Sequence, residues 1–393
     1  MAAAFFPPAR AAVSGMFLLN GFMVGSWAPK IPEFAARLEL SESALGLMIL
    51  LFGIGSMLFM PVCGALIARL GSTRPGKWMA FGAMPALLWV TVAPNVIVAG
   101  FTMVMLGGLI GAMDVAMNAN AVSVEKSMRR AIMSSCHGFW SLGGVLGAVS
   151  GGFALQNFGA LPHAIAITVF GFAVLALLWR HMLEDRPQAS QKEPLRLPRS
   201  ILPWALGIMA LFSMIPEGAV LDWGALYLRQ ELGADVFTSG LAFGLFSATM
   251  ATMRFAGDFV RDRFGPVATV RVSAAIAAIG LMIAGLADSA PMAIAGFAFS
   301  GIGIANLVPI AFSAAGNLPG MAPGIGLSVV TFMGYSGILA APSGIGFVAE
   351  HTGFAPVFIA LSLMFTVVLA LSPLARHAAH QPSPCNAAPV TAG

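Results

Sequence analysis

The sequence predicts an all-α membrane protein in which twelve helices cross the bilayer as two pseudo-symmetric bundles of six. Three observations predict this fold: apolar segments follow one another along the chain, only 9% of the residues are charged, and the two halves repeat. A bilayer core about 30 Å thick needs about 20 apolar helical residues to cross it, and only helices or closed barrels satisfy the backbone there. Soluble domains carry about 25% charged residues, so lipid must cover most of this surface.

Short polar turns separate most of the predicted spans. The spans cover residues 11–31, 44–68, 78–95, 97–122, 131–156, 161–181, 201–228, 237–260, 268–287, 291–315, 322–349 and 354–375. The longest interruption, 182–200, follows the sixth span, and we predict that it is a cytoplasmic linker between an N-terminal bundle (1–181) and a C-terminal bundle (201–375). Residues 376–393 are rich in Pro, Ala and His without an apolar period, which predicts a disordered cytoplasmic tail.

The positions of Lys and Arg predict the orientation. With a cytoplasmic N-terminus, 16 of the 20 basic residues fall on the cytoplasmic side, Lys30, Arg37 and Arg229 fall on the other, and Arg254 lies within a span. Because basic residues concentrate on the cytoplasmic side, both termini are predicted to be cytoplasmic. The net charge of +4 is spread over short loops, so no nucleic-acid partner is predicted. The spacing of the three cysteines predicts neither a metal site nor a disulfide framework, and we predict no cofactor.

The two halves repeat at one offset. The loop Arg69-Leu70-Gly71 returns 194 residues later as Arg263-Phe264-Gly265, and Trp27 has a counterpart 196 residues later in Trp223. The 194-residue offset also relates three further pairs, namely Gly107 and Gly301, Gly143 and Gly337, and Phe153 and Phe347. A parallel repeat of this kind places a substrate site between its halves near the bilayer midplane.

These motifs resemble the major facilitator superfamily of transporters. The resemblance is carried by the first loop, with Gly64, Arg69, Gly71 and Arg74, by its counterpart, with Asp258, Asp262, Arg263 and Gly265, and by the six-plus-six layout. It covers nearly the whole chain and implies a monomeric transporter of a bacterial plasma membrane whose two loops act as conformational gates. The first loop departs from the family pattern because Ala68 stands where an acidic residue is usual, which weakens the case for a charge latch there; Asp262 keeps that acid in the second loop.

Two stretches resemble a narrower group, the YbjJ-type branch related to the fucose permease. They are Asp114-Val-Ala-Met-Asn118-Ala-Asn120 in the fourth span and Ser134-Ser-Cys-His137-Gly-Phe-Trp140-Ser141-Leu-Gly143-Gly144 in the fifth. This resemblance implies a sugar-like or other polar metabolite as the solute, with proton coupling.

Polar residues within the spans are the candidate functional residues, because a charge at the bilayer centre costs from about 2.5 to more than 10 kcal/mol. The ionisable ones are Asp114, His137, Glu217, Asp222, Arg254 and Asp258. The interiors of spans 3, 6, 9 and 12 contain none. This distribution matches the family layout, in which spans 1, 4, 7 and 10 line a central cavity.

We predict that Asp114 binds the coupling proton. It lies 11 residues before Glu125, about 16 Å along a helix and therefore near the bilayer midplane. Asn118 follows one turn later on the same face, and His137 starts the next span at a similar depth. The alternative role for this group is a structural polar clamp between helices 4 and 5.

Glu217 and His137 are the other candidates for proton coupling. Glu217 follows Pro216, where a helix can kink and act as a gate; its alternative role is to face a permanently wet vestibule. The candidates for the substrate cavity are Asn20, Trp27, Asn118, Asp222, Trp223 and Asn306. Trp27 and Trp223 are suited to stack on a sugar ring, although anchoring at the membrane interface is the commoner role of Trp.

Two further patterns are expected to be structural. Arg254 and Asp258 are one helical turn apart and are expected to form a charge pair. Gly143, Gly147 and Gly151 recur every four residues, as in helices whose backbones pack closely together.

Secondary active transport by alternating access is the predicted function, since the chain has no ATP-binding loop. The sequence leaves symport and antiport open. A proton-antiport exporter of drugs or metabolites is the alternative, and an apolar cavity built from the 24 Met and 29 Phe would favour it. An intramembrane enzyme is not predicted, because neither His-Glu-x-x-His nor Gly-x-Ser-x-Gly occurs. A sensor built on the same fold would differ from a carrier in producing no solute flux.

Overall fold

The computed structural model describes residues 7–40, 42–185, 198–234, 236–321 and 323–379, and these are almost entirely helical. Most of the predicted linker (186–197) and most of the predicted tail (380–393) lie outside the described residues. The α-helices are α1 (Pro8–Trp27), α2 (Ile31–Arg37), α3 (Glu42–Leu70), α4 (Thr73–Ala83), α5 (Ala86–Val92), α6 (Val96–Met128), α7 (Met133–Phe158), α8 (Ala160–Trp179), α9 (Leu202–Gln230), α10 (Val236–Phe264), α11 (Pro266–Gly285), α12 (Ala290–Ile304), α13 (Leu307–Ala315), α14 (Pro323–Thr352) and α15 (Phe354–Leu371).

In the described part of the chain, twelve helical units run from one end of the molecule to the other. Ten are single helices, two are the broken pairs α4–α5 and α12–α13, and the short α2 is a connector between α1 and α3. Among the described residues, nine of the units are long and apolar enough to cross a membrane by length and composition. The other three are α1, the broken pair α4–α5, and α10, whose last turns carry several charges.

Two predicted spans differ from the helices observed. The third span was predicted as a single helix over 78–95, but it begins at Thr73 and is interrupted at Met84 and Pro85. It begins early because the carboxylate of Asp185 accepts hydrogen bonds from the backbone N–H groups of Ser72 (2.8 Å) and Thr73 (3.2 Å). These N–H groups have no partner within the helix. The interruption falls where proline supplies no N–H. The tenth span is likewise broken, at Ala305 and Asn306.

The structure follows the predicted 194-residue repeat closely. Adding 194 to the bounds of α3 (42 and 70) gives the bounds of α10 (236 and 264), and the same shift takes the first residue of α8, Ala160, to the first residue of α15, Phe354. Gly71 and Gly265 both have a positive φ, 78° and 79°, which glycine adopts without strain. The two halves therefore make the same turn at the same place.

Glycines on α1 and α7 let the two backbones pack closely, as predicted for Gly143. A Cβ on Gly143 would lie 2.1 Å from the carbonyl oxygen of Leu18, and one on Gly21 would lie 2.0 Å from that of Trp140. The same close packing occurs at a pair of glycines related by the repeat. A Cβ on Gly107 would clash with the carbonyl of Phe52, and a Cβ on Gly301 would clash with the carbonyl of Phe246. Close backbone contact between small residues is a main source of helix association in lipid.

The N-terminal half, α1 to α8, meets the C-terminal half, α9 to α15, along two helix pairs. One is α3 with α14 and the other is α7 with α10. The end of the molecule where α3 and α10 finish and α7 begins carries most of the basic residues, and we call it the basic end. The opposite end carries α2 and the turn between α7 and α8. The site described below lies between these ends, where the two halves face each other.

We expect Gly143→Ala to lower the stability of the purified protein by about 1–3 kcal/mol, because the new methyl group would force α7 away from α1. The measurement is thermal unfolding in detergent. Gly152→Ala on the same helix is the matched control, since nothing lies within 4 Å of its Cβ position. Equal melting temperatures for the two variants would contradict the close packing described here.

Candidate functional site

The structure links two of the residues predicted for proton coupling, Asp114 and His137, through the predicted cavity residue Asn118. The Nδ2 of Asn118 donates to the backbone oxygen of Asp114 (2.9 Å) and to its carboxylate (3.3 Å). The Nε2 of His137 lies 3.2 Å from the Oδ1 of Asn118. Because that oxygen can only accept, the proton of His137 is on Nε2. Asp114 is only 5% exposed, and α6 and the start of α7 hold this group between them.

A second hydrogen-bonded pair joins α1 to the same region. The Nδ2 of Asn20 donates to the backbone oxygen of Ile110 (3.1 Å), one turn before Asp114, and the indole N–H of Trp140 donates to the Oδ1 of Asn20 (2.9 Å). Asn20 was predicted as a cavity residue. Trp140 was not, although it follows His137 by three residues and so lies on the same face of α7.

Arg254 joins the two halves near the middle of the molecule. Its Nη2 lies 3.1 Å from the Oε1 of Glu217, and its Nη1 donates to the Oγ of Ser141 (2.8 Å) on α7. The expected pair between Arg254 and Asp258 was wrong, because the carboxylate of Asp258 accepts backbone N–H groups at the start of α7 instead. The arginine consequently pairs with Glu217 from the neighbouring helix α9.

Tyr335 on α14 is a central residue that the sequence analysis missed. It lies within electrostatic range of both Asp114, from the N-terminal half, and Glu217, from the C-terminal half. The two predicted acids therefore approach one shared region from opposite sides. The signal available in the sequence was composition, since Tyr335 is one of only two tyrosines and lies inside an apolar span.

The two predicted tryptophans lie away from this central group, toward the opposite end. Trp27 packs edge-on against Phe34, with ring centroids 5.3 Å apart, and Trp223 packs on Phe354 at 5.5 Å. Asp222 beside it is exposed and has no hydrogen-bond partner among the described residues. These contacts favour the anchoring and packing role for the tryptophans over stacking on a solute.

Asn306, the last predicted cavity residue, occupies the break between α12 and α13. It is fully buried, and neither its amide nitrogen nor its amide oxygen has a partner among the described residues. Its side chain fits against Gly257, where a Cβ would lie 1.8 Å from its Oδ1. Asn306 therefore lies between the central group and the basic end.

Comparison with known proteins places this chain in a family. The model of the Major Facilitator Superfamily matches residues 13–342 and, a second time, residues 206–390. The chain belongs to the major facilitator superfamily. It is a multi-pass membrane protein of a family of transporters.

Two curated relatives and one solved structure illustrate the similarity. The uncharacterized transporter y4wD of Sinorhizobium fredii is 32% identical, over 94% of this chain and 98% of that protein. An uncharacterized MFS-type transporter of Yersinia pestis is 34% identical, over 90% of this chain and 92% of that protein. The crystal structure of the MFS transporter FucP in the outward conformation has a TM-score of 0.79 with 17% identity, and covers 93% of this chain and 98% of FucP.

At the basic end of this superfamily member, a buried ion pair connects the halves. The guanidinium of Arg261 on α10 lies 2.8 Å from the carboxylate of Glu125 on α6, and both side chains are 2% exposed. Glu125 also accepts from the hydroxyl of Ser313 (2.6 Å) and the backbone N–H of Ile132 (2.9 Å). Sequence reasoning missed this pair, since both residues lie near helix ends where charges are usually solvated.

Two acids of the second predicted gate loop cap the start of α7 across the same interface. The carboxylate of Asp258 accepts the backbone N–H groups of Ser134 (2.9 Å) and Ser135 (3.0 Å), and that of Asp262 accepts the N–H of Ala131 (3.1 Å). The first N–H groups of a helix lack partners within it, and the helix dipole there favours negative charge. The charges of α10 thus hold the amino end of α7.

The first predicted gate loop makes a different contact. Gly64 on α3 faces Gly324 on α14, and a Cβ on either glycine would lie 2.8 Å from the other's carbonyl oxygen. Three basic residues of the two loops, Arg69, Arg74 and Arg263, are exposed, whereas Arg261 of the second loop is buried. With Ala68 in place of an acid, the α3–α14 interface is closed by backbone packing, whereas the α7–α10 interface is closed by charge.

We expect Arg254→Met to destabilise the protein by about 3 kcal/mol, the low end for breaking a buried ion pair, because Glu217 keeps 28% of its side chain exposed. Adding Glu217→Gln should recover much of the loss, since the uncompensated charge disappears. Thermal unfolding of the single and double variants tests this. A double variant no more stable than the single one would contradict the pairing.

We expect Glu125→Gln to open the basic end, because Arg261 would lose its charged partner while the fold keeps its other contacts. Spin labels at Arg74 and Phe264, exposed residues of the two halves at that end, should show longer distances by double electron–electron resonance in a cysteine-free background. Glu350→Gln, an exposed acid of α14 at the opposite end, is the control. An unchanged distance distribution in Glu125→Gln would show that the ion pair does not hold the halves together.

Proposed function

We propose that this protein is a secondary active transporter that couples proton movement to the transport of a small polar solute by alternating access. The observation that carries the proposal is the chain of contacts between the two acids. Glu217 pairs with Arg254, which donates to Ser141 on α7, and one turn earlier on α7 His137 leads through Asn118 to Asp114. In transporters built from parallel repeats, the substrate site lies between the repeats near the midplane. Ionisable groups inside a membrane span mark ion or substrate pathways.

Asp114 is the better candidate for the proton site, and Glu217 is second. Glu217 has Arg254 as a counter-ion, whereas Asp114 forms no ion pair among the described residues. A buried carboxylate must be neutralised by a cation or a proton. We therefore assign the coupling proton to Asp114, with Asn118 and His137 orienting its carboxylate.

A polar solute fits this site better than a lipophilic drug. Amide and indole groups of Asn20, Asn118 and Trp140 face the same region, and the ring of His137 lies between those of Phe17 (5.2 Å) and Phe312 (5.7 Å). A mixture of polar and aromatic groups of this kind suits a sugar-like molecule, and FucP, which shares this fold, is the E. coli fucose:proton symporter.

The described conformation corresponds to one half of the proposed cycle. The concentration of Lys and Arg at the basic end predicts that this end faces the cytoplasm of a bacterium. The Glu125–Arg261 pair and the carboxylate caps on α7 close that end. In the proposed cycle this conformation is closed toward the cytoplasm, and the opposite state requires that these contacts separate.

We expect Asp114→Asn to abolish solute-driven proton movement while the protein stays folded, because the amide cannot take up the coupling proton. Solutes are first selected from neutral sugars, sugar acids and amino acids by the rise in melting temperature that binding produces. Proteoliposomes containing a luminal pH dye then report proton movement when each selected solute is added outside. Symport acidifies the lumen, whereas antiport makes it alkaline, so the same trace separates the two.

Asp288→Asn, an exposed acid in the turn before α12, is the matched control and should behave like the wild type. Solute counterflow, which needs no net proton movement, should persist in Asp114→Asn and shows that the variant still binds and moves the solute. Wild-type proton movement in Asp114→Asn would remove Asp114 from the coupling mechanism. If the wild type transports none of the selected solutes, that result would favour a sensor over a carrier.

A further inference from the structure

A second buried polar cluster lies at the opposite end of the N-terminal half, away from the central site. It consists of Ser26 at the end of α1, Lys30 in the short 3-10 helix that follows, and His163 in the first turn of α8. Their exposed fractions are 0%, 1% and 3%. We call these three residues the outer cluster. The proposed transport mechanism does not use them.

Lys30 is a buried ammonium without a carboxylate partner among the described residues. Its Nζ donates one hydrogen bond, to the backbone oxygen of Ala160 (2.8 Å), which leaves two of its three N–H donors unused. Burial lowers the pKa of Lys30 to about 8. Glu33 is the acid in electrostatic range, but it is partly exposed and pairs with Arg37 at 3.5 Å.

The other two members of the cluster also lack partners. Neither ring nitrogen of His163 has a hydrogen bond among the described residues, and the hydroxyl of Ser26 has none. Buried side-chain polar groups are nearly always hydrogen-bonded to protein, to water or to an ion. Of these three neighbouring buried groups, only Lys30 makes a hydrogen bond. The unused donors therefore indicate that a small hydrogen-bond acceptor binds among the three groups.

The surrounding helices bring the three residues to one place. A Cβ on Gly147 of α7 would lie 2.9 Å from the Oγ of Ser26, and a Cβ on Gly151 would lie 3.1 Å from the Nε2 of His163. These glycines are one turn apart, which is about 6 Å along the helix. Lys30 lies within electrostatic range of His163 and bonds to the turn of α8 that contains it.

The chemistry of the cluster favours a negative charge. An ammonium, a hydroxyl and a ring N–H are all donors, and the amino end of α8 adds the positive end of its helix dipole. The facing side of α7 contributes only glycine at these two positions, so it offers no side chain that could pair with the donors. A cation would be repelled by the uncompensated positive charge of Lys30.

We propose that Ser26, Lys30 and His163 form a binding site for a small monovalent inorganic anion of the chloride type. The anion would neutralise Lys30, complete the hydrogen bonds of His163 and Ser26, and fix the connector containing α2 to the ends of α1, α7 and α8. This site is independent of the solute site and of the proton site at Asp114.

The test compares the thermal unfolding of the purified full-length protein in sodium chloride and in sodium gluconate of equal ionic strength at pH 7.5. Chloride should raise the melting temperature saturably, and bromide should do the same. Lys30→Gln and Ser26→Ala should reduce this response, with the larger loss in Lys30→Gln. Lys77→Gln, a partly buried lysine at the basic end, should keep it.

The chloride response should also disappear as the pH rises from 7.5 to 9.5, because Lys30 loses its proton near pH 8 and the neutral amine no longer attracts an anion. The charged and titratable groups that face Lys30 are Glu33 and Arg37 from the connector and His163 from α8. An ordinary histidine is already neutral at the start of this range.

Crystals of the wild type grown in bromide supply a measurement that does not depend on how the variants fold. An anomalous peak between Lys30 and His163 would support the anion site. A chloride response that is absent, or equal in Lys30→Gln and in the wild type, would overturn the proposal. The absence of that anomalous peak would also overturn the proposal, and would indicate that water completes the hydrogen bonds of the cluster.

Discussion

The buried ion pair between Glu125 and Arg261 is the contact on which the described conformation depends. Each group, alone, would be an uncompensated buried charge, and breaking a buried pair costs about 3–5 kcal/mol. Ser313 and Ile132 donate to the same carboxylate, so the pair is part of a fully bonded group rather than a surface contact. Opening the basic end therefore requires water to enter as the halves separate.

The two interfaces between the halves are closed by different means, although the repeat makes their backbones alike. Asp258 and Asp262 hold the start of α7 through charge, whereas Gly64 and Gly324 hold α3 against α14 through backbone contact. Water competes strongly for the groups of the first interface and weakly for those of the second. In the proposed cycle, the α7–α10 interface is the one that hydration releases, while α3 and α14 remain suited to pivot on each other.

How much the sequence predicted depended on the range of the interaction. The order of the spans and the 194-residue offset follow from hydropathy and local turn chemistry, and both are visible in the chain. The group of Asp114, Asn118 and His137 was also predictable, because four-residue spacing and a short hairpin fix it locally. The role of these residues in proton coupling stays a prediction.

The contacts that the sequence did not predict are those decided by tertiary packing. Local spacing predicted Asp258 as the partner of Arg254. The carboxylate of Asp258 instead accepts hydrogen bonds from unpaired N–H groups at the start of α7, and Arg254 pairs with Glu217 from another helix. The Glu125–Arg261 pair joins residues 136 positions apart, so no local pattern marks it. Tyr335 lies in an apolar span whose sequence gives no sign of the acids that approach it.

The charges of the central site bear on the kind of solute that the proposed mechanism serves. Arg254 and Glu217 neutralise each other. His137 has its proton on Nε2, which faces Asn118, and the ring is uncharged when Nδ1 carries no proton. Once Asp114 takes up a proton, these central groups sum to zero. A neutral polar solute can then bind without leaving a charge uncompensated in the membrane, where each such charge is costly. An anionic solute would need a further proton or the release of Glu217 from Arg254. In the proposed mechanism, the electrostatics of the site thus favour an uncharged solute.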